Sequence, residues 1–84
     1  MLARTISARK TLTALMDEYN SHALAASWYK RCDHDEHKTE ALMANELLTI
    51  TNFLFKYNKD YKLTMVDDNY SGVDIKWRKM EVVE

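Results

Sequence analysis

Residues 58–79 read NKDYKLTMVDDNYSGVDIKWRK, and the period of this stretch decides the fold. Upstream of Asn58, apolar residues recur every three or four positions; from Tyr61 they recur every two. In YKLTMV (61–66) and VDIKW (73–77) apolar and polar residues alternate. Val73, Ile75 and Trp77 fall on one side, and Asp74, Lys76 and Arg78 on the other. That is the period of a strand with one covered face. DDNYSG (67–72) lies between them and holds turn formers and the chain's single glycine. The stretch predicts a β-hairpin, with strands at about 61–66 and 73–79 and a loop of roughly six residues. After Lys79 the alternation slips, because Met80 and Val82 are out of phase with Trp77; this predicts a bulge or a frayed tail. Two strands alone are marginal in water, so Leu63, Met65, Ile75 and Trp77 are expected to pack on what precedes them.

What precedes them reads as helix. One glycine and no proline leave few sharp turns and favour long unbroken elements. From Thr5 to Arg31, Ala8, Leu12, Leu15 or Met16, Tyr19, Ala23, Ala26 and Tyr29 form one stripe. Thr5 or Ser7 is the expected start. The weak point is YNSH (19–22), where Asn20 and Ser21 are poor helix formers. A second stripe, Met43, Leu47, Ile50, Leu54 and Tyr57, steps by four and three within His34–Tyr57, with Leu48 and Phe55 widening it on one side, and is expected to face the core. Acids crowd the start of this segment, Lys56 and Lys59 sit at its end, and Asn58 is a plausible stop. Only Cys32 and Asp33 separate the segments, so the helices are expected to be antiparallel neighbours. The fold class read from the chain is α+β: an antiparallel helical hairpin (about 5–31 and 34–57) followed by a C-terminal β-hairpin.

Length and composition bound the rest. Eighty-four residues make one small domain with a small core, and such domains often add a disulfide, a metal or a second subunit. A single cysteine excludes an internal disulfide and fits a reducing compartment. No apolar run nears the ~20 residues of a membrane span, and no apolar signal core follows the basic N-terminus. The expected location is cytoplasmic, with no membrane partner. A net charge of −1 with 30% charged residues is the signature neither of a strongly basic nucleic-acid binder nor of an acidic mimic. Residues 1–32 carry five cations against two acids, and residues 33–48 carry five acids against Lys38. Antiparallel helices bring parts of these blocks together.

Candidate chemistry is sparse. CDHDEH (32–37) holds Cys32, His34 and His37, three potential zinc ligands without a paired-ligand spacing. The mechanical reading is a helix start, with Asp33 and Glu36 as a variant capping box. Neighbouring carboxylates also raise a thiol pKa, against a reactive Cys32. Asp67–Asp68 reads as turn chemistry rather than as a catalytic pair. One glycine cannot build a phosphate loop. No cofactor is implied, and the chain reads as a non-enzyme.

Two binding readings remain. Lys76 and Arg78 form a basic row on the hairpin, and with Arg9 and Lys10 they form a candidate nucleic-acid surface. The other reading starts from an excess of large rings. Phe53, Leu54 and Phe55 are consecutive and spread around a helix, and Trp28 is adjacent to Tyr29. One partner helix and two strands cannot cover them all, so Trp28, Phe53, Phe55 and Tyr70 are candidate partner-binding residues. The leading expectation is a protein-interaction module, a homodimer, that regulates or inhibits a partner. In size and lack of catalytic signature the build resembles the accessory proteins of phages and other mobile elements, without a residue-level match.

Overall fold

A computed structural model of the chain describes residues 2–70 and 75–83, with side chains from Ala8 onward. Helix α1 spans Leu2–Arg31 and helix α2 Glu36–Phe55. Strands β1 (Lys62–Asn69) and β2 (Lys76–Val83) form a two-stranded antiparallel sheet. The α+β hairpin-on-hairpin order expected from the sequence is the observed one. The 30-residue α1 is about 45 Å long at 1.5 Å per residue and sets the 47 Å long axis of the molecule. No helix among the described residues is long and apolar enough to cross a membrane.

Several boundaries depart from the sequence reading. α1 begins upstream of Thr5 and Ser7, so neither caps it, and it runs unbroken through Tyr19–His22. The weak helix former Asn20 is held by tertiary bonds instead. Its Nδ2 donates to the Met80 carbonyl at 3.0 Å, and its Oδ1 accepts from the Met80 N–H at 2.7 Å. The ladder explains why Met80 is free to bond. Tyr70 N–H bonds the Ile75 carbonyl, and hydrogen-bonded pairs recur at every second position from there. Met80, opposite Met65, falls between them and points its main-chain groups to the open edge of β2. One side-chain amide therefore does for that edge what a third strand would do.

The connection between the helices is a C-cap rather than a capping box. Asp33 N–H bonds the Lys30 carbonyl at 3.1 Å and His34 N–H bonds the Tyr29 carbonyl at 2.8 Å. Asp33 itself sits at φ 56°. These are the two bonds and the left-handed residue of a Schellman motif, and the Tyr29–His34 ring contact, 5.2 Å between centroids, is the one that accompanies it. Asp33 is thus consumed in ending α1. Asp35, at the α2 N-cap, makes no side-chain cap bond; His34 Nδ1 accepts from Glu36 N–H at 3.2 Å. At the other end Asn58 stops α2 as expected, its Oδ1 accepting from the N–H groups of Asp60 and Tyr61. Asp33→Gly is expected to raise stability by about 0.5–1 kcal/mol, because glycine has no Cβ to strain at positive φ. A urea titration reads this, and a loss of stability would contradict the cap.

β1 starts one residue and ends three residues later than the alternation indicates, and β2 is shifted on by three to four. Asp67, Asp68 and Asn69 are in β1, not in a turn, and β2 continues through Met80 to Val83 in unbroken register, without a bulge or a frayed tail. Pairing supplies the reason. Asp67 lies directly opposite Arg78 and bonds its Nε at 3.3 Å, while Lys79 Nζ reaches Asp68 at 3.9 Å. Cross-strand charge pairs of this kind offset the low strand propensity of aspartate. Gly72, Val73 and Asp74 of the expected turn and strand lie outside the described residues.

Leu63 and Met65 face the core as expected and Ile75, just ahead of β2, is buried, but within β2 the inner residues are Met80 and Val82 rather than Trp77. Leu63, Met65, Met80 and Val82 share one face. Met80 is buried with Tyr19 of α1 and Ala44 of α2, and Leu63 and Met65 pack against that cluster. Trp77 has the opposite parity and lies with Val66 and Asp68 on the other face of the sheet, half-buried. Leu12 and Thr51 are fully buried, the Thr51 hydroxyl donating to the Leu47 carbonyl at 2.7 Å. Burial pushes the Tyr19 hydroxyl above the usual tyrosine pKa, against a smaller opposing effect of Arg78. The core is thin. The chain exposes 6282 Å², where a compact monomer of its mass exposes about 5200 Å².

Candidate functional site

The surface that stands out is the outer side of α2. At 100° per residue, Ala44, Leu48, Thr51 and Phe55 share one side of the helix. Ala44 and Thr51 are its buried residues, and Leu48 packs on the core. Small side chains at 44 and 51 let α2 come close to α1 where Tyr19 and Met80 also meet. The orientation is held by an α1–α2 bond, His22 Nδ1–H to Glu40 Oε2, with Glu18 3.6 Å from the other ring nitrogen.

That choice of inner face turns the cleaner stripe outward. Met43, Ile50, Leu54 and Tyr57, expected in the core, are exposed; of that stripe only Leu47 packs against the core cluster. Leu42 and Phe53 widen the outer face, where Phe53 is 78% and Tyr57 84% exposed. The five of these on α2 fall within an arc of about 120°, centred roughly 150° from the buried side, and Tyr57 follows just past the helix end. A surface helix normally keeps one apolar stripe and a polar back. Here most of the circumference is apolar, and α1 and the sheet cover only part of it. Large apolar side chains left open together in this number are uncommon on an ordinary monomer, whose largest apolar patch is about 300–600 Å². The four-three stepping of the sequence marks this stripe but not whether it faces the core or the solvent.

The candidate partner-binding residues divide between two places. Phe53 belongs to the α2 face. Trp28 and Tyr70 are exposed and line a separate cleft of about 420 Å³ between the C-terminal half of α1 and the hairpin, with Ser21, Leu24, Ala25 and Tyr29. Phe55 is half-buried, beside Tyr61 and Leu63.

The candidate basic surface is not gathered. Arg78 is engaged by Asp67. The Arg9 guanidinium lies over the Tyr61 ring, 5.3 Å from its centroid, near the Val82 end of β2. Lys76 lies at the other end of that strand, some 20 Å away at ~3.3 Å per residue. Lys10 is exposed on α1. Nor does CDHDEH form a metal cluster: no group of three potential ligands converges among the described residues. Cys32 is exposed at the end of α1, and His34 is used by Tyr29 and Glu36.

Compared with known proteins, the chain matches no family model, no curated protein and no solved structure.

Proposed function

We propose that this chain is a small non-enzymatic protein-interaction module that assembles as a homodimer and regulates or inhibits a partner protein. The observation that carries the reading is the outward stripe of α2. Six large apolar side chains in heptad-like spacing are expensive to leave in water, at about 25 cal/mol per Å², and a thin core gives the monomer little surplus to offset them. A second protein surface removes that cost. The Trp28–Tyr70 cleft is separate from the stripe, so covering α2 leaves a further aromatic surface for a target.

The direct test is mass in solution across a concentration series, by light scattering on a sizing column. The expected result is a species of twice the chain mass that dissociates on dilution. A strict monomer at every concentration would count against the reading.

A further inference from the structure

Resting on that homodimer reading, we propose that the occupant of the α2 face is α2 of a second copy, laid antiparallel with the two-fold axis at Ile50. Three observations select this arrangement. The first is spacing. Met43, Ile50 and Leu54 of α2 are exposed at steps of seven and four, with Tyr57 three residues on, just past the helix end, and Leu47 bordering them on the core side; this is the spacing of a two-helix seam. About Ile50 the antiparallel pairing sets Ile50 on its own copy and Met43 against Tyr57.

The second is charge. The N-terminal half of α2 and its approach carry Asp35, Glu36 and Glu46 against Lys38, with Glu40 engaged by His22, while Lys56 and Lys59 stand against Asp60 just past its C-terminus. Antiparallel packing lays the acidic half of each copy on the basic end of the other and opposes the helix dipoles favourably; parallel packing sets like on like. Glu46 lies within the apolar arc and is exposed. Lys56 Nζ sits 5.3 Å from the Tyr57 ring centroid, which brings it to the edge of the seam, within reach of Glu46 in the second copy.

The third is exposure. Leu42, Met43, Ile50, Phe53 and Leu54 of α2 are each 43–78% exposed, and large apolar side chains left open together mark an interaction surface.

Disulfide trapping tests the geometry, in full-length protein with Cys32→Ser to remove the native thiol. In the antiparallel pairing Ile50→Cys links to itself. Met43→Cys does not, because the two positions are about 20 Å apart, beyond the ~7 Å that a disulfide spans between Cα atoms. A mixture of Met43→Cys and Tyr57→Cys gives the heterodimer. That pattern, on a protein of dimer mass, is the expected result. Self-linking of Met43→Cys would show parallel packing. A dimer mass without linkage at Ile50→Cys would show assembly through another surface. Both overturn the antiparallel seam and leave the homodimer standing, whereas a monomer mass overturns both. The substituted positions are exposed, and mass is measured on each variant before oxidation, so a failed fold is recognised as such.

Discussion

Asn20→Ala is expected to cost about 3 kcal/mol, a fall in melting temperature of roughly 10–20 °C for a domain of this size. The sign makes the experiment decisive. At an ordinary exposed helix position, asparagine to alanine raises stability by a few tenths of a kcal/mol, since alanine is the better helix former. Here the substitution removes both bonds between α1 and the open edge of β2. It leaves one donor and one acceptor of Met80 partly buried without partners, at about 1–3 kcal/mol each. Asn20→Asp retains the acceptor and sets a carboxylate against the Met80 carbonyl, so it is expected to recover little. Denaturant titrations of the two variants beside the unmodified chain measure this. A variant as stable as the parent would mean that the hairpin is held by Met80, Leu63 and Met65 packing alone. The loss is also expected to appear first in the sheet, as faster amide exchange in β2 than in α2.

Ile50→Glu is expected to weaken dimer assembly by a factor of about 10² to 10³, because the two-fold axis sets the two new carboxylates beside each other and like charges in an interface cost several kcal/mol. Sedimentation across a concentration range gives the shift directly. Ile50 is about half exposed in the single chain, so part of its side chain also packs within the monomer. Phe53→Glu, at a more exposed position, separates the two effects. It should retain the helical signal and melting cooperativity of the monomer while still weakening assembly. Unchanged assembly by both variants would remove α2 from the interface. If dimerisation covers the stripe, the parent chain should also melt at a temperature that rises with concentration.

Local propensity places Asp33 in a helix cap and Asp67 and Asp68 in a turn, but in the fold each answers a longer-range or neighbouring demand. Asp33 ends α1 because the chain must reverse within four residues and no glycine is present there. Asp67 and Asp68 extend β1 because Arg78 and Lys79 come opposite them once the register is set. Met80 and Val82 are out of phase with Trp77 because they lie on the opposite face of β2 from it; Lys76 and Arg78, which share the parity of Met80, are exposed towards the turn end. Phe53 and Trp28 are exposed, because consecutive apolar residues on a helix cannot all reach one neighbour.

Periodicity alone determined that this chain is two helices and a β-hairpin in that order, because the 3.6 and 2.0 repeats are properties of the local backbone and survive any packing. Periodicity could not determine which apolar side of α2 turns inward, because α2 has two. That choice was made by volume and by distant partners. Ala44 and Thr51 are small enough to let α1 approach, Tyr19 and Met80 meet over Ala44, and His22 holds Glu40. Asn20 was legible as a poor helix former, but its value lies 60 residues away in the chain, at Met80. A hydrogen bond across that separation leaves no local pattern, so tertiary structure alone revealed it.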